Sequence, residues 1–115
     1  MQVHQWNDAN AEQMNPLVSR EVLHSAMMTV SKLKLKAGAV VPEHHHINEQ
    51  ISLVMEGAIR FHIGGETQVI SAGEAVVIPP NVPHSVEVLE DAIAIDLFTP
   101  IREDWVRGDD AYLRR

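Results

Sequence analysis

The stretch Gly38–Gly57 reads GAVVPEHHHINEQISLVMEG, and the rest of the chain is interpreted around it. On an extended backbone alternate side chains share a face, so His44 and His46 point the same way about 7 Å apart and both imidazoles reach one ion. His45 points away. Three residues separate His46 from Gln50, far enough for the chain to turn and return on the neighbouring strand with its amide oxygen aimed at the same point. Glu49 has the opposite parity and faces elsewhere. A second stretch, Gly73–His84, reads GEAVVIPPNVPH and offers His84 from a loop stiffened by prolines. A histidine triplet alone says little, but joined to Gln50, His84 and two Gly/Pro frames it gains the context that makes a motif informative. His44, His46, Gln50 and His84 are therefore the expected metal ligands. His4, His24 and His62 lie outside both frames and are expected at the surface or in structural hydrogen bonds.

Outward from these segments, apolar residues recur at intervals of two between Gly, Pro and Asn, the pattern of strands and turns. Strands are expected over 27–35, 39–41, 50–55, 58–63, 67–70, 75–78, 85–89 and 92–98, with Gly64-Gly65 as a hairpin turn. Pro79, Pro80 and Pro83 cannot sit mid-sheet and mark a rigid loop. About eight short strands suit an all-β sandwich or jelly-roll barrel. Thr99-Pro100 is expected to cap a short helical turn over Arg102 to Val106, followed by a loose tail at Leu113–Arg115. The first 25 residues fit an extended or a partly helical arm, with Pro16 excluding one continuous helix.

A chain of 115 residues is expected to form a single domain, with the barrel over about 27–98, an N-terminal arm over 1–26 and a C-terminal tail over 99–115. It has no Cys, which removes thiol catalysis and thiolate ligands and fits a reducing compartment. No apolar run approaches the roughly 20 residues of a membrane span, and residues 1–10 lack the features of a signal peptide. A soluble, cytoplasmic protein is the expectation. Sixteen acids against nine bases, a formal charge of −7, disfavour a nucleic-acid surface. Lys32, Lys34 and Lys36 alternate with Leu33 and Leu35, the pattern of a solvated strand face.

The segment Ala92–Trp105, AIAIDLFTPIREDW, holds a second set of candidates. Alternation separates Ile93, Ile95 and Leu97 from Ala92, Ala94, Asp96 and Phe98. If the second face lines the interior, Asp96 acts on a bound ligand and Arg102 folds back over the mouth to pair with an anion. If it is solvated, Asp96 is a surface acid. Alternation alone leaves both open.

These residues resemble the cupins: Gly, five residues, His-x-His, three residues, a ligand, six residues, Gly; then Gly, five residues, Pro and a later His. Asn81 and Val88 replace a usual Gly and Asn, and the 15 residues between the motifs match compact single-domain members. The HxHxxxQ form and the order Asp96, Phe98, Arg102, Glu103, Asp104, Trp105 are similar to the KdgF-like group of pectin and alginate breakdown, although Ile47-Asn48 replaces its usual Pro-His. The resemblance covers about Leu35 to Phe98 and implies a cupin jelly roll with a divalent transition metal. It implies conversion of 4,5-unsaturated uronates, small anionic sugars, into linear 5-keto-4-deoxyuronate, with Asp96, Phe98 and Arg102 catalytic.

Three imidazoles and an amide leave the ion its full charge, suited to Lewis acidity, and argue against dioxygen activation. Imidazole suits Zn, Ni, Fe and Cu and, less tightly, Mn. Asp96 is expected to stay ionised beside such an ion. The alternatives are a sugar-acid-binding module without turnover and another small cupin enzyme, such as a dioxygenase or isomerase. A homodimer through an outer sheet face is also expected, unless Ile93, Ile95 and Leu97 are ordinary core.

Overall fold

The computed structural model describes residues 1–114, and Arg115 of the expected loose tail lies outside them. Eight strands form one antiparallel sheet: β1 (Glu12–Asn15), β2 (Val18–His24), β3 (Thr29–Leu35), β4 (Val40–His44), β5 (Glu49–Ile63), β6 (Glu66–Ser71), β7 (Ala75–Ile78) and β8 (His84–Thr99). The main path runs β1-β2-β3-β8-β5-β6, with β4 added to β8 and β7 to β5. The two long strands pair along nearly their whole length and curl the sheet on itself. One half of β8 pairs with β3 and the other with β4, which gives the two walls of a barrel.

Two pairs of expected strands merge. Residues 50–55 and 58–63 belong to β5, and 85–89 and 92–98 to β8, each continuous through a bend where the register shifts near Gly57. Gly57 has φ 79°, and a Cβ there would lie 2.2 Å from the Asp91 carbonyl oxygen. A side chain cannot be accommodated. Gly64-Gly65 forms the β5–β6 turn, with both φ values positive. Asn81, standing where the family pattern usually has Gly, adopts φ 63°.

The boundary of the N-terminal arm needs correction, because β1 and β2 form a hairpin whose second strand pairs with all of β3. The alternation there was obscured by charge. Arg20 points inward and is buried, its Nη2 donating to Asp110 Oδ2 at 2.8 Å and its guanidinium 4.4 Å from the Trp105 ring. Glu21 is buried on the opposite side beneath the N-terminal segment, which contributes His4 Nε2 at 2.7 Å and the Asn7 backbone N–H.

The short C-terminal helix is present as α1 (Glu103–Val106), but it is capped differently from expectation. Arg102 occupies the cap, while Thr99 ends β8 and donates its hydroxyl to the Met27 carbonyl. The loose-tail expectation is also overturned at Leu113 and Arg114. Residues Ala111–Leu113 make a 3-10 turn, Leu113 is buried, and Asn15 Nδ2 donates to its carbonyl at 2.9 Å. This segment covers one end of the barrel because Tyr112 and Leu113 carry apolar surface that the open end would otherwise leave wet.

Substituting Ala at two glycines separates backbone strain from steric exclusion. Gly57→Ala should lower stability by about 3 kcal/mol and Gly38→Ala, with open space around it, by about 1 kcal/mol, read from urea unfolding midpoints.

Candidate metal centre and its cavity

His44 ends β4, His84 opens β8, and the two are cross-strand partners. His46 follows in the loop, and Gln50 enters at the start of β5. The three imidazoles converge, with ligand atoms all within 4.8 Å of one another. Every one of them uses Nδ1 on a backbone carbonyl: His44 on Pro42 at 2.8 Å, His46 on Asn48 at 3.0 Å, His84 on Val82 at 2.8 Å. A neutral ring that donates from Nδ1 keeps a lone pair on Nε2. Burial makes the rings neutral, pushing His44 and His46 down from 6.5 to about 4 and His84 down as well, with the positive charge of Arg102 adding to the effect.

The donor set fits a cation. His84 Nε2 is buried with no hydrogen-bond partner among the described residues. The Gln50 amide donates from Nε2 to Ser52 Oγ at 2.9 Å, which turns Oε1 to within 3.1 Å of His46 Nε2. Two acceptors then face each other without a proton between them. A positive ion at the meeting point satisfies all of these lone pairs. His45 and Glu49 are exposed, as their parity demands. His4, His24 and His62 hydrogen-bond to Glu21, Thr29 and Glu87 respectively, far from any cluster of ligands among the described residues.

Alternation on β8 resolves with Ala92, Ala94, Asp96 and Phe98 buried inside, while Ile93, Ile95 and Leu97 form the half-buried outer face. Asp96 therefore lines the barrel interior. Its cross-strand neighbours are Ser31 on β3 and Ser52 on β5, and the next inner row is Thr29, Phe98 and Gln50. A cavity of about 60 Å³ is bordered by His44, Gln50, His84, Asp96, Phe98 and Arg102. That volume holds on the order of two waters, or a cation and one water.

Burial pushes the Asp96 carboxyl up to about 6 in the metal-free protein, against the pull of the Ser52 hydroxyl and Arg102. Arg102 lines the cavity but its fork is already engaged, Nε and Nη2 meeting Asp104 at 2.9 and 2.7 Å. Asn48, Ser52 and Tyr112 were not anticipated. Asn48 is buried and pins the C-terminal crossing by donating to the Pro100 and Ile101 carbonyls. Ser52 shares the parity of Gln50, so the strand pattern could have found it. Tyr112 stacks on His44 with ring centroids 4.4 Å apart, a contact that no local signal announces.

Comparison with known proteins matches this architecture. The Cupin domain family matches residues 31–98, more than half the chain, and the chain belongs to that family. The pectin degradation protein KdgF of Dickeya dadantii (strain 3937) is 29% identical over 98 residues, spanning 83% of this chain and 89% of that protein. The structure of KdgF from Halomonas sp. superposes with TM-score 0.74 at 33% identity, covering 89% of this chain and 91% of that one. An RmlC-like cupin from Shewanella frigidimarina superposes at 0.81 with 28% identity, over 90% and 96% of the two chains. This protein is a KdgF-like cupin.

The depressed imidazoles make a pH signature. Because His44 and His46 titrate near 4 when folded and near 6.5 when unfolded, the unfolded chain takes up protons first. Stability of the metal-free protein should be complete above about pH 6.5 and fall toward pH 4, by roughly 3 kcal/mol per ring, as measured by urea titration across that range. Zinc or nickel added at neutral pH should raise Tm, and a His84→Ala variant should lose most of that increment.

Proposed function

We propose that this cupin opens the ring of 4,5-unsaturated uronate monosaccharides, giving linear 5-keto-4-deoxyuronate. One observation carries the reading: a single cavity is bordered by the candidate ligands His44, Gln50 and His84 and by Asp96, Phe98 and Arg102. Kinship with proteins named for pectin degradation supports the substrate class.

A divalent metal held by His44, His46, Gln50 and His84 would supply Lewis acidity undiminished by ligand charge. The remaining work falls to the chain. Water adds across the C4=C5 enol ether, the proton going to C4 and the hydroxyl to C5. The bond from C5 to the ring oxygen then breaks, the C5 hydroxyl proton leaves, and the ring oxygen gains one. Loss of water from C1 makes the sum an isomerisation. Asp96, poised at about 6, is the group that takes and returns these protons, since a carboxyl near the working pH serves in both directions. Phe98 offers a flat apolar wall to the ring face, and Arg102 offers Nη1 to the sugar carboxylate.

A monosaccharide needs the several hundred Å³ usual for ligand pockets, more than the cavity now provides. Binding therefore requires the side chains around the cavity to rearrange, while the segment from Arg102 to Tyr112 is anchored by Arg20–Asp110 and by the Arg102 N–H on Thr29.

The protein is further proposed to pair with a second copy of itself through the outer face. Val77, Ile51, Leu97 and Val30 form one apolar row across four strands, with Ala75, Leu53 and Ile95 beside it. Leu53→Glu should halve the mass seen by light scattering.

Metal-replete protein mixed with an unsaturated uronate should speed the loss of its ultraviolet absorption well beyond the spontaneous rate. Asp96→Asn should reduce that rate at least about a hundredfold with metal content retained. The same variant should be more stable at pH 7 by about 3 kcal/mol. The carboxyl is raised from 3.8 to about 6 in the fold, so its stability contribution is lost as pH rises through that range and the amide escapes the loss. Turnover no faster than background would refute catalysis, and binding without turnover would favour a sugar-acid-binding module.

A further inference from the structure

Ser52 stands between the candidate ligands and the acid of the cavity. It is 1% exposed, borders the cavity with Gln50 and Asp96, and lies on β5 at the same parity as Gln50. Its oxygen accepts from Gln50 Nε2 at 2.9 Å. That bond decides which end of the amide faces the imidazoles, because an amide held at Nε2 turns Oε1 the other way, 3.1 Å from His46 Nε2. Ser52 is also the direct cross-strand partner of Asp96 on β8. Such a pairing sets the two Cβ atoms about 5 Å apart.

A hydroxyl has a single proton to donate. With the amide donating to it, Ser52 has no use for that proton at Gln50, and the Asp96 carboxyl is the acceptor across the strands, where the hydroxyl works against the effect of burial. Donation therefore runs one way, from amide to hydroxyl to carboxyl. A carboxylate at position 50 would have no proton to give and would draw the Ser52 proton to itself, away from Asp96. An amide there thus does more than leave the charge of an ion undiminished. Asp96 has a second seryl neighbour, Ser31 on β3, equally direct across the strands and fully buried. Its Oγ has no partner among the described residues. Two serines flank one carboxyl, and Ser52 is the one bonded to a candidate ligand.

We propose that Ser52 is a positioning residue that joins the metal centre to the proton-transferring group, setting the Gln50 amide oxygen toward the ion with its lone pair and orienting the Asp96 carboxyl with its proton. This rests on reading Asp96 as the proton carrier of the proposed reaction. Ligation through Gln50 Oε1 would polarise the amide and strengthen each bond along this chain.

The test uses the full chain and two variants of equal chemistry, Ser52→Ala and Ser31→Ala. Zinc affinity, read by competition with a chromophoric chelator, should fall about tenfold in Ser52→Ala and stay within about twofold of wild type in Ser31→Ala. On an unsaturated uronate at saturating zinc, Ser52→Ala should lose at least about tenfold in kcat with KM held within about twofold, a split that general loosening of the site would not give. Metal-free protein supplies a readout independent of turnover: Ser52→Ala should lower the urea midpoint more in the wild-type background than in Asp96→Ala. Unchanged zinc affinity in Ser52→Ala, losses shared equally by Ser31→Ala, equal midpoint shifts in the two backgrounds, or a kcat equal to wild type at saturating zinc would each overturn the proposal. Absence of turnover in wild type would sink the catalytic reading, while the zinc loss and the background-dependent midpoint would leave the role of Ser52 standing. Normal wild-type turnover with Ser52→Ala matching it in every readout would do the reverse.

Discussion

Three hydrogen bonds from imidazole Nδ1 to backbone carbonyls govern the centre of this protein. Each fixes a ring in one tautomer and one orientation, so that His44, His46 and His84 present lone pairs to a shared point. Burial then keeps the rings uncharged at neutral pH, which is the protonation state that ligation needs. The carbonyls belong to Pro42, Asn48 and Val82, each two positions along the chain from its candidate ligand. Local backbone geometry thus presets the ligands, and the barrel only has to bring the two segments together.

The same barrel places Asp96 at a cost. An acid on the inner face of β8 loses most of its hydration and receives only partial compensation from Ser52 and Arg102. The small Ala94 on the same inner face borders the cavity together with Asp96. Such a position is hard to justify by packing alone, because an apolar residue of similar size would stabilise the core. It accords with the proton-transferring role proposed for Asp96, since functional residues commonly have displaced pKa values.

The C-terminal segment is the third determinant, and its apparent looseness in sequence is misleading. Arg102, Trp105 and Tyr112 bond mainly to one another, while Asp110 ties the segment to Arg20 and Asn15 ties it at Leu113. A cover built this way is held together inside and fastened to the barrel by buried contacts, so it completes the cavity as a wall.

The sequence alone determined the all-β class, the turn at Gly64-Gly65, the left-handed position at Asn81 and the shared face of His44 and His46, because these follow from alternation and backbone preference over a few residues. It also located the KdgF-like pattern. The strand character of residues 12–24 was hidden since the inward Arg20 and the buried Glu21 break the apolar rhythm, and their burial depends on Asp110 and on the N-terminal segment, both remote in the chain. Whether Asp96 faces inward, how Arg102 is occupied and where Tyr112 lies were decided only by tertiary structure. Strand parity offers two faces, and only the closing of the sheet, with the C-terminal segment laid across its end, selects which one is dry.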